Sequence, residues 1–499
     1  MSDTAIDQQP YIGSYVLESL TTGMYGESEN AIREYVQNAF DALRSAVHQK
    51  LITDETANIT VTLTAGDQIT IYDNGVGVAA SAAYKTLTSI GASKKDRQKQ
   101  AGFRGIGRLA GIAFCDSLTF RTKARGDDFE STITYDCVAL RKGMNNGTLR
   151  LVDLLQSAVS FEQPPSTDKS AHFMEVNLIG LSAAPEVFKD VGQLRTYLAE
   201  TSPVGFEPSW EKGSSITEHA SKKTWAIETA HLSLGTSALT FKPIYKPYKD
   251  AFVGKGDSLQ RIEWIEYFKG SSGRWWAWVG HTNQSEIVNE KSVHGLRVRV
   301  KNIAVDKTSI LDELFTMVNK SYSRFNSYYV GEVHISPALL IPNARRDGFE
   351  DNEAWRQVKK ELALELCKPL GKKAYDNSKK RQQSLEKIEK DLTKFTAEAS
   401  KAIRTNDVSA KHVVLTKLAN LRSKMADATS DATPETQTKL KTQLQQLNAV
   451  QRSIDQTLDS GDCKAAVQNA LEKVFSVLET HLGPSEYRSV RKAIEEALV

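Results

Sequence analysis

Three short stretches carry side chains that could do chemistry together. In EYVQNAFDAL, residues 34–43, Glu34, Asn38 and Asp41 fall at i, i+4 and i+7 and so share one face of a helix. Val36, Ala39 and Leu43, with Ile32 upstream, form a second, apolar face at core spacing. A solvated helix usually carries Lys and Glu on its polar face, whereas this one carries Asn flanked by the small Ala39 and Ala42. In IYDNGVGV, residues 71–78, a strand pattern ends at Asp73 and is followed by Gly75 and Gly77. The glycines allow a sharp turn and close backbone approach to a ligand, and the carboxylate can accept a hydrogen bond from an exocyclic amine. In GFRGIGRLAG, residues 102–111, Gly102, Gly105 and Gly107 enter an apolar helical run. Loop amides ahead of a helix N-terminus suit a phosphate. No G-x-x-x-x-G-K-[ST] stretch is present, so a P-loop is excluded.

These stretches need elements to hold them. Ile59, Val61 and Leu63, then Ile69 and Ile71, alternate as two strands around a turn. LTFRTKA, STITYDCVAL and AHFMEVNLIGL read as further strands, the last offering Phe173, Val176 and Leu178 to a core. FEQPPSTDKS is a solvated connector. Beyond about residue 206 the strand-like RWWAWVGHT, GLRVRVKNIAV and YYVGEVHI recur, and a Pro-marked loop then leads into a helix. Trp275, Trp276 and Trp278 read as strand packing rather than a ligand surface. From about residue 352 the pattern is helical. Leu385, Ile388, Leu392, Phe395, Ala399 and Ala402 keep a 3-4 spacing, as do Leu440, Leu444, Leu447, Ile454 and Leu458 with Gln451 filling one core slot. Thr433 and Pro434 mark a helix start. The expected class is α+β, with domains at 1–205, 206–365 and 366–499, the last an all-α bundle or coiled coil.

The bulk numbers fit a soluble, cytoplasmic protein. Hydrophobic content is 40%, charged content 25% and formal net charge +3, so no bulk electrostatics drive it onto nucleic acid or membrane. No leader pattern opens the sequence, and no run approaches the roughly 18 apolar residues of a membrane span. Cys115, Cys137, Cys367 and Cys463 are scattered without a C-x-x-C, which fits reduced thiols better than a zinc site or disulfide framework.

The order and spacing of the three motifs resemble the GHKL ATPases. That superfamily includes heat-shock-protein-90 chaperones, MutL-type repair proteins, gyrase B subunits, sensor histidine kinases and microrchidia ATPases. The resemblance covers residues 12 to about 180 and implies a Bergerat-type α/β sandwich that binds ATP and Mg²⁺. It implies that Glu34 is the general base, that Asn38 holds Mg²⁺ and that Asp41 lies near the nucleotide. Asp73 would read the adenine amine, with Gly75 and Gly77 shaping the base pocket. Gly102, Arg104, Gly105, Ile106 and Gly107 would wrap the phosphates. Residues 78–101 correspond to the mobile ATP lid, in which Ser93 and Lys94 either touch phosphate or belong to a solvated basic loop. Two residues compete for the family's Gly-Thr position, Thr148 in GTLRL and His172 before FMEV. Only about eleven residues precede the fold, so a complete histidine kinase is not expected.

The middle region, from about 206 to 365, resembles the chaperone's transducing domain. Asn343-Ala344-Arg345-Arg346-Asp347 is similar to that family's Asn-x-Ser-Arg-Glu loop, which implies that Arg346, with Arg345 as substitute, reaches the terminal phosphate. The implied activity is slow ATP hydrolysis that drives domain closure on a protein client or partner enzyme, in a homodimer. The second reading is a MutL- or microrchidia-like clamp on nucleic acid, supported by GFRG and by the basic excess between Lys372 and Arg404. No membrane partner is expected.

Overall fold

The computed structural model describes residues 11–21, 29–64, 67–91, 105–181, 184–253, 259–283, 286–306, 308–338, 340–343, 346–405, 408–430, 434–459 and 462–497. Two compact units divide the chain, Met1–Tyr375 and Asp376–Val499. Its class is α+β, with two sheets in the first unit and helices in the second.

The first part of the chain runs α1 (Tyr15–Leu20), α2 (Glu29–His48), β1 (Asn58–Thr64), β2 (Gln68–Asp73), α3 (Ala80–Thr88), a 3-10 helix (Gly107–Ala113), β3 (Ser117–Lys123) and β4 (Ser131–Asp136). It continues through α4 (Cys137–Met144), α5 (Leu151–Ala158), β5 (Val159–Glu162), β6 (Phe173–Ile179), α6 (Val191–Thr201), α7 (Glu211–Lys223), β7 (His231–Gly235) and β8 (Lys242–Pro243). Among the described residues eight strands form the first sheet, in the order β5-β4-β3-β6-β2-β1-β7-β8. The pairs are antiparallel except β1 with β7. Alternation sets the inner face: Ile59, Val61 and Leu63 of β1 and Ile69 and Ile71 of β2 are buried together with Leu118, Phe120, Ile133 and Leu178. Because β7 and β8 belong to this sheet, it extends past the expected boundary at residue 205.

STITYDCVAL is not one strand. The extended pattern stops at Asp136, whose carboxylate accepts from the Ala139 N–H at 2.8 Å and so caps α4. The cap turns Cys137 and Leu140 into the core as one helical face rather than as alternate strand positions. This turn also brings Cys137 Sγ to 3.8 Å from Cys115 Sγ, although the two are far apart in sequence. Both are unbridged and buried.

A second sheet follows, with β9 (Ala251–Val253), β10 (Leu259–Lys269), β11 (Trp275–Thr282), β12 (Gly295–Val300), β13 (Ile303–Val305) and β14 (Val330–Ile335) in the order β13-β12-β14-β11-β10-β9. Trp276 and Trp278 pack on the α7 side, against Trp210 and Tyr248. Trp275 packs on the other face with α8 (Ser309–Val318), α9 (Glu353–Glu361) and a π-helical turn (Leu362–Cys367). All three tryptophans are buried, as strand packing requires.

The two sheets are stitched at the β12–β13 hairpin. Lys301 and Asn302 both have positive φ, 50° and 61°, the geometry of a two-residue type I′ turn. Asn302 Nδ2 donates to the carbonyls of Val204 (3.2 Å) and Glu228 (2.9 Å). Arg299 Nη2 donates to Glu200 O at 2.8 Å, at the end of α6, and Arg297 pairs with the Glu200 carboxylate at 2.9 Å. Ile303 of β13 lies within the core of the first sheet.

The unit boundary falls within α10 (Lys368–Thr405). The second unit continues with α11 (Val408–Ser430), α12 (Pro434–Asp459), α13 (Asp462–His481) and α14 (Pro484–Ala497). Ile388, Leu392, Phe395, Ala399 and Ala402 of α10 pack with Val414, Leu418, Leu421, Leu440, Leu447 and Ile454, matching the 3-4 seam. Among the described residues no helix is long and apolar enough to cross a membrane.

Candidate nucleotide site

Helix α2 is the centre of the site, and it is buried on nearly every side. Ile32, Val36, Ala39 and Leu43 enter the sheet core. The polar stripe is covered as well: Glu34 is 7% exposed and Asp41 5%, with Asn38 half-buried between them. Burying a carboxylate without a partner is costly, and Glu34 has one. Arg346 Nε donates to Glu34 Oε1 at 2.8 Å, across 312 residues of sequence. Both side chains are more than nine-tenths buried.

The Arg346 loop is built for this reach. The Arg346 carbonyl accepts from Asp306 N–H at 2.8 Å, just after β13, and its N–H donates to Asn343 O at 3.2 Å. Asn343 Nδ2 also donates to Asp347 Oδ1 at 2.6 Å. Arg346 itself has φ +57°, the left-handed region that is uncommon for a residue with a Cβ and costs of order 1 kcal/mol. Arg345 lies outside the described residues.

The other oxygen of Glu34 faces the glycine loop. A Cβ on Gly107 would stand 2.4 Å from Glu34 Oε2, so only glycine fits there. Tyr35 fixes the short helix that follows: its hydroxyl donates to Arg108 O at 3.0 Å and accepts from Gly111 N–H at 2.9 Å. Ile106 is buried and Gly105 has φ +69°. Gly102, Arg104, Ser93 and Lys94 lie outside the described residues. Of the expected lid, residues 80–88 are helix α3, anchored in the core by Ala83 and Leu87.

Asp73 ends β2, 3% exposed, and its Oδ1 accepts from Gly75 N–H at 2.9 Å. Gly77 has φ +64°, and a Cβ there would meet the Lys123 carbonyl at 1.9 Å. Two residues that sequence reasoning left out, Val76 and Thr122, hold this turn, and the candidate His172 joins them. Val76 N–H donates to Ala42 O of α2 at 3.4 Å, tying the turn to the helix. The buried Thr122 hydroxyl donates to Phe173 O at 2.8 Å and accepts from Val78 N–H at 3.0 Å. His172 Nδ1 lies 2.8 Å from Gly75 O. Thr148 instead bonds to Asn146 and accepts from Tyr11, so His172 is the candidate that meets the Asp73 loop.

The residues present fit a nucleotide with Mg²⁺. Backbone at positions 75, 77 and 107 approaches where side chains cannot. Gln37, three residues after Glu34 and 1% exposed, has neither amide atom hydrogen-bonded among the described residues. A buried amide in that state costs about 1–3 kcal/mol, which marks the stripe as able to take a further polar group. Among the described residues no cluster of three or more His, Cys, Asp or Glu could hold a metal.

Residues 25–158, from α2 to α5, match the family model described as histidine kinase-, DNA gyrase B- and HSP90-like ATPase. The match supports the GHKL superfamily for this segment and, with it, an ATP-binding domain. No curated protein matches the chain.

Proposed function

We propose that the chain is an ATP-hydrolysing conformational switch, in which the loop carrying Arg346 reports nucleotide occupancy to the second sheet. The observation that carries this reading is the buried Glu34–Arg346 pair, which joins the motif helix of the first sheet to a loop of the second. While Arg346 Nε occupies Glu34 Oε1, that oxygen is not available to a water. On ATP binding Arg346 moves from Glu34 to the terminal phosphate. Glu34 is then free to take the proton of the attacking water as its oxygen bonds to phosphorus. The bond to the bridging oxygen breaks, and ADP leaves with the electron pair. Mg²⁺, held by Asn38, would offset charge on the phosphate oxygens. Asp73 accepts from the adenine amine and sets the register of the base.

Hydrolysis then drives closure and reopening on a protein client or partner enzyme, in the manner of heat-shock-protein-90-like machines. Dimerisation through the C-terminal helices is supported by α13, which leaves Val467, Val474 and Val477 exposed. The second reading, a nucleic-acid clamp, is supported by exposed Lys387, Lys390, Lys394, Lys401 and Arg404 on α10. Retention of DNA that requires ATP and weakens steeply with salt would favour the clamp. For the ATPase itself, phosphate release and nucleotide affinity are measured in Glu34→Ala. Release should fall about 1,000-fold with ATP affinity within a few-fold, and unchanged release would sink the reading.

A further inference from the structure

Arg108 follows Gly107 directly and is half-buried, yet it has no acidic partner among the described residues. Its neighbours in the same sheet domain differ. Arg44 pairs with Asp54, Arg121 with Glu130 and Glu175, and Arg141 with Asp116. Burial pulls the Arg108 guanidinium below the ordinary arginine range, and the one ionisable group seen to act on it is Tyr135. The Tyr135 hydroxyl is already spent, donating to Leu87 O of α3 at 2.8 Å. The Arg108 carbonyl is held by Tyr35, so the backbone at this point cannot drift from α2. A half-buried guanidinium without an anion has lost part of its hydration, which an anionic ligand would offset.

The neighbouring residue says which anion. Gly107 abuts the Glu34 carboxylate, and the phosphorus attacked by water activated at Glu34 must lie beside that carboxylate. Of the phosphates in a nucleoside triphosphate, the terminal one is therefore nearest the Gly107–Arg108 step. We propose that Arg108 binds the terminal phosphate of ATP and so makes the site discriminate ATP from ADP. This rests on the ATPase reading above and adds to it a cation contributed by the first sheet's own glycine loop, independent of Arg346. A planar guanidinium presents two parallel donors to phosphate oxygens, a stronger and more directional contact than a neutral group makes.

The test is calorimetric titration of wild type and Arg108→Met with ADP and with a non-hydrolysable ATP analogue, each at the same Mg²⁺ concentration. Arg108→Met should weaken the analogue about tenfold or more and leave ADP within about twofold. Equal weakening of both ligands, as a merely structural role would give, overturns the proposal, and so does no change in either. Should the Met variant fail to fold by its ADP titration and thermal melt, Arg108→Gln is subject to the same two outcomes. Failure of the wild type to bind either nucleotide overturns the ATPase reading itself and this inference with it, a result distinct from a wild type that binds both and a variant that keeps its preference.

Discussion

Two buried carboxylates in this molecule each hold an arginine, and they are held very differently. Glu332, on β14, is fully buried and surrounded: Arg299 meets one oxygen, Lys246 and Trp278 the other, with His334 alongside. Those cations hold its carboxyl well below the usual range against the opposing effect of burial. Arg299 is in turn satisfied by the carbonyls of Glu200 and Asn302. Glu34 has its guanidinium contact from one nitrogen of Arg346, on a loop whose backbone is strained at that residue. The first arrangement is over-determined by a packed sheet and is suited to a fixed joint. The second leaves a carboxylate and a guanidinium that can part company, which is what a switch requires. Similar chemistry thus suits rigidity in one place and movement in the other, and the number of partners on the carboxylate separates the two.

The comparison can be broken in several ways. Glu332→Gln should cost about 4 kcal/mol in denaturant unfolding, because it strands two buried cations, and Glu34→Gln, which strands one guanidinium, should cost less. Equal costs would erase the distinction. Acid should act on the joint first. Burial lowers His334 to about 4 and Lys246 to about 7. A His whose folded pKa lies below its unfolded value of about 6.5 contributes stability above that value and loses it as pH falls through the folded one. Thermal stability should therefore fall between about pH 6.5 and 4, by up to about 3 kcal/mol, and His334→Asn should flatten that slope. Arg346→Ala should reduce hydrolysis about 100-fold while leaving ADP affinity unchanged, and stability should move less than in Glu332→Gln. The smallest effect is expected at Asp73→Asn, a loss of about tenfold in ATP affinity, read by titration. Retained affinity would remove the adenine role.

Much of this architecture was legible because it is local. The alternation of Ile59, Val61 and Leu63 announced β1, and the 3-4 seam from Ile388 to Ala402 announced a packed helix. The stripe Glu34–Asn38–Asp41 is a property of one helix and could be read from its period. What escaped depends on cross-strand and interdomain contact. Thr122 meets the Asp73 loop, and His172 rather than Thr148 does so, only because β3, β6 and β2 are neighbours, an order no short window contains. Arg346 stands out in the sequence through its similarity to a family loop; its contact with Glu34 belongs to the packing of two sheets. Cys115 and Cys137 looked unrelated until the Asp136 cap turned the chain. Arg108 carried no periodic signal at all, since its interest lies in what does not face it.

The stitching of the two sheets bears on how the chain comes to be folded. The first sheet needs β7 beside β1, and its core needs Ile303. A ribosome that has completed the motifs through Gly107 has therefore not yet supplied the parts that close their scaffold. The nascent chain must wait about 200 further residues, at roughly 5–20 per second, before Ile303 emerges to seal the core. A fragment ending near residue 205 would likewise lack β7 and leave the Val204 carbonyl without its Asn302 donor. Nucleotide competence and the second sheet are thus acquired together during synthesis, and neither half is a ready-made module for the other.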